Sequence, residues 1–173
     1  MRRERTILCM KWGTLYSAEY VNVLFSACQA FISGQFHFVC LTDDQSGLHP
    51  DIEHHPIPDI GLEHAHYYHG AWPKISVFNE SLCGLKGRAL FIDLDSVICG
   101  SLDDMFELEG DLVAIDSQPW GRKSGGPRTG TGVFAFDIGR VYWIADRFQD
   151  DKNAFVKKYQ IEQDFIHHEF SNI

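Results

Sequence analysis

Three features of the sequence predict an α/β fold built on a mainly parallel sheet. Short apolar runs at Thr6 to Met10, Phe36 to Leu41 and Arg88 to Asp93 have the length and continuity of buried strands. An amphipathic helical stretch separates the first two, and strand, helix, strand is how a parallel sheet begins. Long polar or glycine-rich stretches follow the strands, at the carboxyl ends where open α/β sheets bind their ligands.

The elements follow in chain order. The first strand turns polar at Lys11-Trp12-Gly13-Thr14, and Ser17 can cap the helix that follows. Val21, Leu24, Cys28 and Phe31 recur at helical spacing with Asn22, Ser26, Gln29 and Ser33 opposite them, and Gly34 supplies the stop. After the second strand, Thr42 to Gly47 has turn composition. From His49 to Gly70 the chain carries Pro50, Pro56, Pro58 and six of the nine histidines without a sustained period, which predicts a long irregular excursion. Trp72-Pro73 opens a short helix through Leu82, because proline suits a first helical turn. Ser101 to Asp104 has capping-box spacing ahead of Met105 and Phe106 and predicts another short helix. Asp111 to Asp116 and Gly132 to Asp137 read as strands, Gln118 to Gly132 as a loop, and Arg140 to His168 as two helices. With no internal repeat and no linker, one domain over residues 1–173 is expected.

Composition narrows the function classes. With 45% hydrophobic and 23% charged residues the chain is an ordinary globular sequence, and at 173 residues it should bury roughly 70% of its extended surface. A net charge of -9 disfavours nucleic acid, whose phosphate backbone calls for clustered Lys and Arg. It remains compatible with a small phosphorylated ligand, since a divalent cation can neutralise carboxylates and phosphates together. Cys9, Cys28, Cys40, Cys83 and Cys99 are odd in number, without a Cys-x-x-Cys pair, and read as reduced core thiols. The basic start at Arg2, Arg3 and Arg5 precedes an apolar stretch too short for a signal peptide, and no run approaches a membrane span. A cytoplasmic setting is the expectation, peripheral to a membrane if an acceptor is lipid-linked. His54, His55, His64, His66 and His69 invite a zinc reading, but their spacing fits no closed zinc pattern and no cysteine lies among them, so a solvated loop is expected.

The chemistry concentrates in Phe91-Ile92-Asp93-Leu94-Asp95. Carboxylates at i and i+2 beyond a buried strand can face one site when the strand breaks into a turn, and hard cations such as Mg²⁺ or Mn²⁺ favour such oxygens together with substrate phosphates. The stretch from Arg88 to Phe106 resembles the segment of family 8 glycosyltransferases and their GT-A relatives in which a strand ends in Asp-x-Asp and a leucine-acidic-phenylalanine helix follows. Gly130-Thr131-Gly132-Val133-Phe134-Ala135-Phe136 and Glu162-Gln163-Asp164 resemble two later motifs of that family in the same order. Cys9 to Thr14, Glu19 to Asn22, Leu41 to Asp44 and Trp72 to Ser76 are similar to a bacterial subgroup of glycosyltransferases.

That resemblance implies a GT-A fold, a nucleotide-diphosphate sugar as donor, in particular a UDP-sugar, a glycan or lipid-linked acceptor, and Mn²⁺ or Mg²⁺. It implies Asp93 near the donor ribose or sugar, with Leu94 beside it, and Asp95 as the firmer metal ligand. Lys11, Trp12, Thr14 and Tyr16 fall where the base is received; Trp12 reads equally as ordinary packing. Lys74 falls where a point charge can meet a phosphate, or is a surface lysine. Gly130, Thr131 and Gly132 match the acceptor-side loop, or form a plain turn. Glu162, Gln163 and Asp164 match the segment facing the anomeric carbon, where a carboxylate or amide stabilises an oxocarbenium-like transition state.

Family 8 enzymes continue into a His-x-x-Gly-x-x-Lys-like segment with a third, histidine metal ligand, so the resemblance implies a truncated C-terminal part; His167 and His168 are the candidates to substitute. Retention of anomeric configuration is expected from the resemblance alone. Two rival readings stand: a haloacid-dehalogenase-type phosphatase with Asp93 as nucleophile and Asp95 as acid/base, and a non-catalytic nucleotide-sugar-binding module.

Overall fold

A computed structural model describes residues 4–117 and 129–170. Its centre is a six-stranded sheet of β1 (Arg5–Lys11), β2 (His37–Thr42), β3 (Glu53–His55), β4 (Arg88–Ile92), β5 (Leu112–Asp116) and β6 (Thr129–Asp137), in the order β3-β2-β1-β4-β6-β5. The first four strands are parallel neighbours, with Cys9 opposite Cys40 and Ile7 opposite both Phe38 and Leu90. β6 runs antiparallel between β4 and β5, and the register slips between Ala114 and Ile115.

Both faces of the sheet are covered, which is why its central strands read as unbroken apolar runs. On one face Leu8, Met10, Phe91, Phe134 and Phe136 pack against a 3₁₀ segment (Trp72–Phe78) and the C-terminal helices α2 (Trp143–Asp150), α3 (Lys152–Lys158) and α4 (Glu162–Glu169). On the other, Ile7, Cys9, Cys40, Leu90 and Ile92 meet α1 (Ala18–Phe31). Val21, Leu24 and Cys28 are buried as the helical spacing requires, joined by Phe25, whereas Phe31 stays exposed.

Several expectations are corrected. The excursion after β2 contains β3, an edge strand beside β2, and a 3₁₀ turn at His64–Tyr67. Ser17 is the N-cap of α1 by position only; its side chain makes no cap bond, and its carbonyl accepts from Tyr20 N at 3.2 Å. α1 ends at Ile32 in extended conformation, two residues before Gly34. The segments opened by Trp72 and by Asp103 (Asp103–Phe106) are 3₁₀ rather than α-helical. Arg140 to His168 holds three helices, because Asp151 breaks the chain in a non-helical conformation and its carboxylate caps α3 by accepting from Ala154 N at 3.2 Å. β6 begins at Thr129, so Gly130 to Gly132 are strand residues; Gln118 to Arg128 of the expected loop lie outside the described residues. Cys9, Cys28 and Cys40 are buried thiols, but Cys83 is half-buried and Cys99 exposed. Among the described residues no helix is long and apolar enough to cross a membrane.

Candidate active site

The site lies at the carboxyl end of β1 and β4. β4 closes on Asp93, whose N–H still donates to Gly132 O at 2.8 Å, and the chain then reverses as Ser96 N donates to Asp93 O at 3.1 Å. That turn packs Leu94 against the core and puts Asp93, Leu94 and Asp95 together on the wall of a cavity of about 660 Å³. Trp12, Thr14 and Tyr16, from the loop after β1, line the same cavity. The i and i+2 pair therefore faces one site.

Lys11 goes elsewhere. Buried at the end of β1, it donates to Asp44 O at 3.3 Å and is not on the cavity wall. The neighbouring Gly13 has φ of 60°, and its N–H donates to Asp43 Oδ2 at 2.8 Å, which fixes the loop's departure from the strand. Trp12 combines the two roles open to it: its ring faces the cavity while its indole N–H is held by Tyr67 O at 2.5 Å.

Lys74 is not a surface lysine: it is buried at the wall of the same cavity, with its ammonium held by its neighbours. Its side chain is 7% exposed, and its ammonium donates to Asp93 Oδ2 at 2.9 Å and Thr131 O at 3.0 Å, with Glu162 Oε1 at 3.3 Å. The segment Trp72–Phe78 that carries it is buried throughout. Thr131 is also enclosed: its hydroxyl donates to Glu162 Oε1 at 2.5 Å and its N–H to Gln163 Oε1 at 3.3 Å. The residues matched to an acceptor loop thus tie β6 to the start of α4. Gly130 permits close approach, since a Cβ there would lie 3.0 Å from Ile115 O, whereas one at Gly132 would make an ordinary contact, 3.5 Å from Asp93 Oδ2.

Glu162 and Gln163 therefore join the cluster around Asp93, and Asp164 does not. It lines a second, more open depression of about 670 Å³ with Tyr159, Gln160 and His168. A backbone bond from Glu162 N to Gly70 O, 2.8 Å, sets where α4 starts. His167 meets Thr129 Oγ1 at 3.4 Å and His168 stacks on Tyr159. Among the described residues no three His, Cys, Asp or Glu side chains assemble into a metal-binding group, so neither the histidine-rich excursion nor His167 and His168 complete one.

Sequence reasoning missed Tyr67, Tyr68 and Ala71, which bring the end of the excursion onto the cavity wall. The available signal was the aromatic doublet just ahead of Trp72-Pro73, where the chain must return to the sheet.

Charge is unbalanced here: among the described residues Asp93 and Glu162 share the ammonium of Lys74, and Asp95 adds a further negative charge beside Asp93. The Asp93 carboxyl is raised to about 6: burial pushes it up most, Lys74 pulls it down, and Glu162 and Asp95 push it up again. Burial also works against the Lys74 ammonium, but Glu162 and Asp93 outweigh it and hold its pKa above the usual lysine range. Two carboxylates opening on one cavity, in surplus over the local cation, fit a hard divalent ion that completes its shell with phosphate oxygens and water.

The architecture is that of the GT-A glycosyltransferase fold. The chain is similar to the glycosyltransferase GlyE of Streptococcus pneumoniae TIGR4, with a TM-score of 0.68 and 14% identity, over 98% of this chain and 44% of that one. It is also similar to the galactosyltransferase LgtC, solved with donor and acceptor sugar analogs, with a TM-score of 0.64 and 16% identity, over 95% of this chain and 70% of that one. An active-site mutant of LgtC superposes with a TM-score of 0.57 at 16% identity, over 93% of this chain and 69% of that one. The chain thus spans less than half the length of GlyE. No protein-family model matches the sequence, and no curated protein does.

Proposed function

We propose that this chain is the donor-binding domain of a metal-dependent glycosyltransferase that moves a sugar from a nucleotide diphosphate, in particular UDP, to a glycan or lipid-linked acceptor. The observation that carries the reading is the pair Asp93 and Asp95 at the carboxyl end of a central strand, opening with Trp12 and Tyr16 on one cavity in a fold shared with solved glycosyltransferases. The resemblance to family 8 and its bacterial subgroup supports the same reading and supplies the expectation of retention. Free thiols accord with a reducing, cytoplasmic setting.

Asp93 and Asp95 are the residues that would hold Mn²⁺ or Mg²⁺, and the ion's chemistry is to offset charge on the departing diphosphate. Trp12 and Tyr16 offer aromatic surface to the base. Lys74 holds Asp93 and Glu162 in fixed relation, which ties the end of β4 to the start of α4. Gln163 gives its carbonyl oxygen to Thr131 N–H, which leaves its amide N–H groups as donors toward a sugar hydroxyl. Glu162 places negative charge near the reacting centre, where an oxocarbenium-like transition state is stabilised.

A non-catalytic nucleotide-sugar-binding module has one specific support, the lack of a third metal-ligating side chain among the described residues. The phosphatase reading has none: its nucleophile motif belongs on a first strand, and Asp93 follows the fourth. Thermal stabilisation by UDP-sugars with Mn²⁺, followed by a donor-hydrolysis assay, separates the three. Stabilisation with turnover supports the transferase, and stabilisation alone supports the binder. Phosphatase activity lost in Asp93→Asn, with no response to UDP-sugars, overturns both.

A further inference from the structure

The two carboxylates of the acidic pair are held in different ways. Asp93 is half-buried and fixed by the ammonium of Lys74 at 2.9 Å. Asp95 is exposed, on a turn, and its side chain has one hydrogen-bond partner among the described residues: the Tyr16 hydroxyl, which donates to Asp95 Oδ2 at 3.3 Å. A carboxylate at such a position is free to rotate unless something orients it, and ordering it on cation binding then costs conformational entropy.

We infer that Tyr16 is the positioning residue for Asp95, turning its carboxylate into the cavity so that one oxygen accepts from the phenol and the other is left for a divalent cation. The inference rests on the metal-site reading above and assigns to the Tyr16 hydroxyl a role separate from any contact of its ring with a nucleobase.

Three features make the phenol suited to this. Its ring is fixed from behind, edge-on to Tyr20 at 5.0 Å and 71°, and packed against the core cluster under α1. The hydroxyl therefore arrives at Asp95 already oriented. A phenol is a neutral donor, so it orients the carboxylate without cancelling the charge that attracts the cation, as a second lysine would. The bond is long for an O–H donor, and it can shorten as the other oxygen is drawn toward a cation, as hydrogen bonds in ligand-free sites commonly do. Partners of this outer kind typically change metal affinity by 10- to 100-fold when removed.

The experiment is a Mn²⁺ titration read from the EPR signal of the free ion, with and without UDP, for the wild type, Tyr16→Phe and Tyr20→Phe. Phenylalanine keeps the ring and its contacts; a comparable melting temperature verifies folding, and Tyr16→Trp replaces it should Tyr16→Phe not fold. The expected result is a loss of Mn²⁺ affinity of about tenfold or more in Tyr16→Phe, equal with and without UDP, and no change in Tyr20→Phe. Mn²⁺ binding by Tyr16→Phe equal to the wild type overturns the inference and leaves the metal site standing. A loss seen only with UDP also overturns it, because the hydroxyl then acts on the nucleotide. A wild type that binds no Mn²⁺ in either arm overturns the metal-site reading itself, and this inference with it.

Discussion

Replacing Lys74 by methionine removes the ammonium while keeping the side-chain length that fills its channel. Two carboxylates then lose their cation. Glu162 is the costly one, because its side chain is 3% exposed, whereas Asp93 at 31% can recover some hydration. Breaking a buried pair by removing one partner typically costs about 3–5 kcal/mol, and the partial exposure of Asp93 places this variant near the lower end, about 3 kcal/mol at pH 7.5. For a domain of this size that is a fall in Tm of roughly 6–12 °C.

The loss should also depend on pH, with a definite sign. Asp93 is already raised to about 6 with the ammonium beside it, and goes higher without it. A carboxyl whose folded pKa lies above its unfolded value stabilises the fold as pH falls toward that unfolded value. The wild type makes this gain only below about 6, the variant over a wider range. Urea unfolding of both proteins at pH 7.5 and pH 5 should therefore show a deficit that shrinks by roughly 1–2 kcal/mol on acidification. A deficit under about 1 kcal/mol at pH 7.5, or one that is the same at both pH values, would refute the account of Lys74 as the counter-ion of a buried acidic cluster.

Asp95→Ala should leave the melting temperature of the free protein nearly unchanged, since the side chain is exposed, and should abolish Mn²⁺-dependent stabilisation by UDP; in the wild type, ligand at about 100 times its Kd adds about 2.7 kcal/mol in a thermal-shift assay. Gly70→Ala should destabilise by about 2 kcal/mol or more in urea unfolding, because φ is 82° and the new Cβ would meet Trp72 Nε1 at 2.5 Å and Gln160 O at 2.7 Å. Glu169 is held down to about 2, first by the Tyr159 hydroxyl; burial is the next largest influence and opposes it, and hydrogen bonds from Arg147 and Lys158 add to the lowering. Its folded pKa is depressed, so its contribution is complete above the unfolded glutamate value and is lost as pH falls through about 2. Because Arg147 and Lys158 are solvent-exposed, that contribution is on the order of 2 kcal/mol, and Glu169→Gln should remove this part of the acid sensitivity from a pH-stability curve.

The central sheet was legible because its physics is local. β1, β2 and β4 are buried on both faces and so appear as apolar runs, and the acidic turn after β4 stands out because polarity changes abruptly at Asp93. β3 was not legible: Glu53, His54 and His55 show no apolar pattern, and the strand exists because it pairs with the edge of β2. The break between α2 and α3 carries neither glycine nor proline, and its one signal is the N-capping Asp151. At the site, sequence identified the acidic pair and most of the first loop, but not the burial of Lys74 and Thr131. Lysine and threonine read as polar wherever they stand, and only the convergence of β6, α4 and the Trp72–Phe78 segment encloses them. The same limit hid Tyr67 and Tyr68, which reach the cavity through a turn that has no period to read.

Two buried polar clusters sit at opposite ends of β4 and differ in charge balance. Arg88, at the amino end of β4, donates to Gly110 O, Leu108 O and Asp137 Oδ1; its charge is matched and its surroundings closed. At the carboxyl end of the same strand the Lys74 cluster carries a surplus of negative charge and opens on a cavity. A fold selected for stability alone has no reason to keep Asp93 ionised there. Raising its pKa from the ordinary carboxylate value to about 6 corresponds to roughly 3 kcal/mol against the charged form at neutral pH, less what solvent returns to a partly exposed group. Asp93→Asn keeps the shape and an acceptor for Lys74 while removing that penalty. It should therefore lie within about 1 kcal/mol of the wild type at pH 7.5, where Lys74→Met loses about 3, and its stability should no longer respond to Mn²⁺. An Asn variant as unstable as the Met variant would mean that the Asp93 charge is structural, and that the surplus at this site is not what draws a cation.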